Sequence, residues 1–254
     1  MTQGPRLVLW QLQISHYNEK ARWALDYKRV PHVRRSLLPG IHALVAHRLT
    51  GGETDKTPVL TLDGRSIGDS TRIIAALEER WPEPPLYPVD PEERRRALEL
   101  EEFFDEELGA DIRRALYHVL LEHPDLVLTL FEHGQTAVAR GMVRATFPLL
   151  RIGMRKSLRI YAEQAAESQA KSIAAIDRLE SELGDGDYLV GDSFTVADLT
   201  AASLLYPLAL PPEYPYPTLP REALPDEARE LLDSLAERPG VLWVGEMYRR
   251  HRLS

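Results

Sequence analysis

The chain contains no cysteine. That excludes disulfides, thiolate-ligated metal sites and any protein thiol nucleophile. It also lacks an apolar run of about 18 residues, the length at which a segment reads as membrane-spanning. Its N-terminus shows no basic-then-apolar leader. An unexported, cytoplasmic protein with no membrane partner is the expectation. Charge of one sign is missing as well. The net charge is −8, but 39 acidic and 31 basic residues are interspersed, which argues against nucleic acid or an anionic membrane surface as main partner. There is no internal repeat and no low-complexity tract. The eight histidines are scattered, and His16, His42 and His47 have no paired ligand spacing, so no metal is expected.

What is present begins with Ser15-His16-Tyr17-Asn18-Glu19-Lys20-Ala21-Arg22. These residues follow an apolar run, Leu7 to Trp10, that reads as a strand. They lead into the amphipathic set Ala21, Trp23, Ala24 and Leu25. Ser15 therefore falls where a strand ends and a helix begins. Such a serine reads first as an N-cap, and the unpaired N–H groups and positive dipole end of the helix also attract anions. Further on come Thr57-Pro58-Val59-Leu60, Leu62-Asp63-Gly64-Arg65 and Ile67-Gly68-Asp69-Ser70-Thr71. Asp63-Gly64 between two apolar runs predicts a hairpin. Asp69-Ser70 predicts a cap for a helix carrying Ile73, Ile74 and Leu77 at helical spacing. The order is strand, helix, short strand (His32 to Leu37), weak helix, hairpin, helix.

In order and spacing, the pieces S-x-x-x-E-K-x-R, T-P-V-L and D-S resemble the glutathione site of the glutathione S-transferase superfamily, in its cytosolic form with a serine-type active site. The resemblance implies an α/β thioredoxin-like N-terminal domain, residues 1–83, followed by an all-α helical C-terminal domain, residues 84–254. The 254-residue length allows two domains. Pro82, Pro84, Pro85, Pro88 and Pro91 mark a linker over about 82–91, and Asp90-Pro91-Glu92-Glu93 reads as a helix start. Beyond it, periodicity predicts one helix from about Glu92 to Leu121, with Leu98, Phe103, Leu108 and Ile112 inward. A second is predicted from about Phe147 to Tyr161, and a third from Glu163 to Leu183, ended by Gly184. Thr195 with Asp198 three residues on forms a capping box, with Phe194 and Leu199 at staple positions. It looks like the box that opens the buried core helix in transferase C-terminal domains.

The site roles are those the resemblance implies. Glutathione would be the co-substrate, with Ser15 as the catalytic residue holding its thiolate. Some relatives place a cysteine where Ser15 stands; this chain cannot exchange thiols through a side chain of its own. Thr57, before a cis Pro58, would pair with the cysteinyl backbone. Asp69 would meet the γ-glutamyl ammonium, Ser70 its carboxylate, and Lys56 the glycine end. Asp69 and Ser70 also read as plain caps, and both roles are compatible. Tyr17 is the rival thiol donor, although the superfamily's tyrosine belongs nearer the strand end, at Gln11. Asn18 is expected on the helix surface, and Arg48 is read as a solvated charge. The second substrate would be a small apolar electrophile, conjugated or reduced, and Arg113, Tyr117 and His118 lie on the relevant helix without a defined phase. A homodimer is expected. The alternative is a non-catalytic transferase-like module that binds thiols, ligands or proteins.

Seven of the 19 prolines fall between Pro207 and Pro225, among Tyr206, Tyr214 and Tyr216. This segment reads as a rigid surface connector, the other reading being a wall of the substrate pocket. Trp243 and Tyr248 read as packing anchors.

Overall fold

The computed structural model describes residues 7–252. Its N-terminal part alternates strands β1 (Leu7–Gln11), β2 (His32–Ser36), β3 (Val59–Leu62) and β4 (Arg65–Gly68) with helices α1 (His16–Tyr27), α2 (Ile41–Leu49) and α3 (Ser70–Arg80). The strands form one sheet in the order β2-β1-β3-β4. β1 runs parallel to β2 and antiparallel to β3, and β3 and β4 form a hairpin. Asp63 and Gly64 turn that hairpin with φ values of 50° and 84°, the paired positive φ that this two-residue sequence supplies at low cost. The arrangement is the small mixed sheet with flanking helices of a thioredoxin-like domain.

The helical part comprises α4 (Pro91–Phe103), a π-helical turn (Phe104–Leu108), α5 (Gly109–Leu120), α6 (Pro124–Glu132), α7 (Ala137–Ser157), α8 (Ala162–Leu183), α9 (Val196–Ala209), α10 (Asp226–Leu235) and α11 (Pro239–His251). α9 is buried along nearly its whole length. Thr195 and Asp198 open it with a complete capping box, and the Asp198 carboxylate also accepts from Leu189 N–H at 2.8 Å. Trp243 and Tyr248 are buried packing residues; Trp243 donates to the Asp187 carbonyl at 2.9 Å and Tyr248 lies against Trp23.

Two helices differ from expectation. The Glu92–Leu121 stretch is interrupted by the π turn, and before it Ala97 and Leu100 face inward, with Phe104 buried and Leu98 and Phe103 only partly so. The helix expected from Phe147 begins ten residues earlier, at Ala137, where Thr136 accepts from Ala139 N–H at 3.2 Å. Pro148 inside α7 and the exposed Val138, Met142, Leu149 and Ile152 blur its pattern. α6 has no counterpart in the periodicity reading. It packs Val127 and Phe131 with Val143 and Phe147 of α7 into a second, smaller core.

Candidate active site

The site starts where β1 gives way to α1. Ser15 holds an extended backbone, φ −86° and ψ 126°, and its Oγ accepts from Asn18 N–H at 3.4 Å. Among the described residues Ser15 Oγ donates to nothing, so its proton is free to serve a bound anion. The preceding loop is fixed from beneath by the fully buried Arg22. Its guanidinium donates to Gln11 Oε1 at 2.9 Å, to the Leu12 carbonyl at 3.3 Å and to the Gln13 carbonyl at 3.0 Å. Glu19 pairs with Arg22 at 2.7 Å and with Arg252 at 2.6 Å, both out of solvent. Buried charges persist only when partnered in this way.

The proline-rich segment overturns its reading as a surface connector. Tyr206 donates to the Ile14 carbonyl at 2.8 Å, Tyr214 to the Gln13 carbonyl at 2.6 Å, and Gln11 Nε2 donates to Tyr216 Oη at 2.5 Å. Tyr206 and Tyr214 stack with ring centroids 4.0 Å apart. Backbone carbonyls just before Ser15 are thereby held by tyrosines some 200 residues away in sequence.

Asn18, expected on the helix surface, is instead 0% exposed. Its Oδ1 accepts from Leu12 N–H and its Nδ2 donates to Thr57 Oγ1, both at 3.3 Å. One amide therefore joins the strand end, the Ser15 cap and the loop carrying Thr57. The Thr57–Pro58 peptide is cis. Asp69 caps α3 through Arg72 N–H at 3.1 Å, at a positive φ of 77°. Next to it Ser70 is 2% exposed, and its Oγ has no hydrogen-bond partner among the described residues. Unsatisfied buried hydroxyls are uncommon and call for an explanation; one at a helix start suits an anionic ligand group. Lys56 and Arg48 are both exposed.

Tyr17 is committed elsewhere. Its hydroxyl donates to the Asp105 carbonyl at 2.8 Å, in the π turn. Burial, reinforced by Asp105, pushes its ionisation well above the ordinary tyrosine range. Lys20 meets Asp105 of the same turn at 2.8 Å and Glu101 of α4 at 2.9 Å.

Ser15 opens onto a cavity of about 300 Å³. Its walls are mostly apolar, with Ile14, Leu116, Leu120, Phe131, Leu150 and Met154 among them. Arg113 and Tyr117 face it from α5, whereas His118 lies on a different depression. His16 also lines it; burial, aided by Arg113 and opposed by a hydrogen bond to the Gly109 backbone, lowers its pKa to about 3. Burial raises Tyr117 to about 12, against the pull of Arg113. Among the described residues no cluster of acidic and histidine side chains is arranged to hold a metal, and no helix is long and apolar enough to cross a membrane.

The family model of the glutathione S-transferase N-terminal domain matches residues 9–85, and that of the C-terminal domain matches residues 162–241. The chain belongs to the glutathione S-transferase superfamily. Solved structures agree with this. A glutathione S-transferase from Methylobacterium radiotolerans, in complex with glutathione sulfonate, is 25% identical, with 93% of each chain covered and a TM-score of 0.56. One from Methylobacillus flagellatus with glutathione bound is 18% identical over 97% of this chain and 96% of that one, TM-score 0.61. The β-etherase LigF from Sphingobium sp. strain SYK-6 is 20% identical over 94% of this chain and 98% of that one, TM-score 0.59. No curated protein sequence matches the chain. The two family models leave residues 86–161 unmatched, and this stretch of the transferase supplies α4 to α7 and with them much of the cavity wall.

Proposed function

We propose that this glutathione S-transferase binds glutathione across Ser15, Thr57 and the Asp69-Ser70 helix start, and that Ser15 donates a hydrogen bond to the thiolate. The observation that carries the reading is the position of Ser15: a hydroxyl with an uncommitted proton, at a helix N-terminus, on the rim of an apolar cavity. A free thiol ionises near pH ~8.5, so only a few per cent is nucleophilic at neutral pH. A hydrogen bond to a charged acceptor contributes about 1.5–3 kcal/mol, and the helix field adds about 0.3–1 kcal/mol. Together these lower the thiol pKa by about one to two units, enough to make a large fraction reactive. The thiolate sulfur then forms a C–S bond to an electrophilic carbon held in the cavity while the leaving group departs with its bonding electron pair. In the reductive case it attacks one sulfur of a substrate disulfide, forming a mixed disulfide and expelling the other sulfur as a thiolate. Ser15 keeps its proton throughout.

In this reading Thr57 presents its backbone to the cysteinyl unit, Asp69 pairs with the γ-glutamyl ammonium, the unpartnered Ser70 hydroxyl meets the γ-glutamyl carboxylate, and the exposed Lys56 reaches the glycine end. We take residues 1–83 as the glutathione-binding domain and 84–254 as the helical domain, in a cytoplasmic homodimer. Calorimetric titration with glutathione, beside turnover of an apolar aryl halide, tests the proposal. Saturable binding with conjugation supports it. Binding without turnover of any electrophile favours a non-catalytic binding module, and no binding at millimolar glutathione refutes it.

A further inference from the structure

Within the apolar cavity one feature does not fit a purely apolar ligand. Arg113 projects from α5 into the lining, yet it makes no ion pair among the described residues, and its Nε is withdrawn from solvent without a hydrogen-bond partner. Among the described residues no aspartate or glutamate lines the cavity. The other titratable groups facing it are His16 from α1, His42 from α2, and the phenols Tyr117, Tyr206 and Tyr214. Burial holds both imidazoles below their ordinary range and all three phenols above theirs, so at neutral pH these groups are uncharged. The guanidinium is then the single formal charge on the wall. Close to it, His16 Nε2 is likewise buried and unpartnered.

Arg113 is half-buried, with its Nε out of solvent and no ion pair on an otherwise apolar wall, and its planar fork matches a carboxylate or sulfonate with two parallel hydrogen bonds. Tyr206 and Tyr214, by contrast, donate to loop carbonyls, and Arg22 pairs with Glu19 and the same loop. Among the described residues lining the cavity, Arg113 and His16 alone keep buried nitrogens without partners.

We infer that Arg113 selects the second substrate, which is an apolar molecule carrying one anionic group that pairs with the guanidinium at the cavity. The substrate class is thus an amphipathic organic acid and not a neutral hydrocarbon-like electrophile. The inference rests on the proposed transferase reaction for its word substrate, but the recognition itself is a binding property.

Two fluorescent probes with the same rings separate the charge from the apolar contact: 8-anilinonaphthalene-1-sulfonate and the neutral N-phenyl-1-naphthylamine. The full chain should bind the sulfonate about ten-fold or more tightly than the neutral amine, as expected for a charge-assisted pair. Raising the salt concentration should erode that preference and leave the neutral probe unaffected. Arg113→Gln should abolish the preference while binding of the neutral amine stays within two-fold, and Arg113→Lys should retain part of it. Equal binding of the two probes by the unmodified chain, or an Arg113→Gln variant with the preference intact, overturns the inference. The salt series needs no variant, so a misfolded substitution does not shield it. Glutathione titration of the same sample keeps the two claims apart. Loss of glutathione binding with the sulfonate preference intact refutes the transferase reading alone, and the converse refutes the role of Arg113 alone.

Discussion

Tyr17 donates its hydroxyl hydrogen to the carbonyl oxygen of Asp105, 2.8 Å away and 88 residues on in sequence. The acceptor lies in the π turn between α4 and α5. The fit is close: a Cβ placed on Gly109 would come within 2.3 Å of the same hydroxyl. Inserting one residue into a helix frees local carbonyls, and such turns recur near functional sites. Here a carbonyl of the turn takes the hydroxyl of the one tyrosine that rivals Ser15 as thiol donor. Tyr17→Phe should therefore cost about 1 kcal/mol of stability and leave conjugation at neutral pH within a few-fold. Thermal unfolding beside initial-rate kinetics checks both parts.

Asn18 is the hinge of the glutathione side. Its amide satisfies Leu12 N–H and reaches Thr57 Oγ1. Asn18→Ala leaves buried groups unpaired, at a cost of about 1–3 kcal/mol, and lets the Ser15 and Thr57 loops move independently. The expected outcome is a ten-fold or greater fall in kcat/KM for glutathione together with a lower unfolding midpoint. Unchanged kinetics in a folded variant would show that the tie is only structural.

Asp69 separates capping from recognition. Asn caps helices as well as Asp and tolerates the positive φ seen here. Asp69→Asn should therefore leave the unfolding midpoint nearly unchanged while removing the partner of the ligand's ammonium. Glutathione should bind about ten-fold or more weakly, as for loss of a charged hydrogen bond. Isothermal titration reads this directly.

His16 gives the pH dependence a sign. Its imidazole takes a proton near 6.5 when unfolded and only near 3 in the folded chain. Over that window the unfolded state binds more protons, so stability is lost as pH falls from 6.5 toward 3 and is complete above it. His16→Gln, which never titrates, should flatten the acid limb of the stability curve relative to the unmodified chain. Denaturant unfolding at a series of pH values gives the difference.

The thioredoxin-like half was legible because local chemistry dictates it. Asp63-Gly64 demands one turn, Ser15 and Asp69 are strong caps, and the apolar spacing of Ile73, Ile74 and Leu77 defines α3. The capping box at Thr195 was legible for the same reason. What stayed hidden depends on partners far away in the chain. Asn18 was expected on the helix surface, but it and its neighbours Glu19, Lys20 and Arg22 are buried because Thr57, Arg252, Glu101 and Gln11 reach them from elsewhere. Tyr214 and Tyr216 sit among prolines that suggest a spacer, yet their hydroxyls meet the β1 end from about 200 residues away. α7 was shortened because Pro148 reads as a break and its apolar residues occupy opposite faces.

The account stands on Ser15 as the hydroxyl that holds the thiolate. The direct measurement is the ultraviolet absorbance of bound glutathione thiolate against pH, for the unmodified chain and for Ser15→Ala. The account predicts that the variant binds glutathione within a few-fold, raises the bound thiol's pKa by about one to two units, and slows conjugation at neutral pH correspondingly, with partial recovery at higher pH. A Ser15→Ala variant with an unshifted thiolate titration and normal conjugation, while Tyr17→Phe loses both, would contradict it.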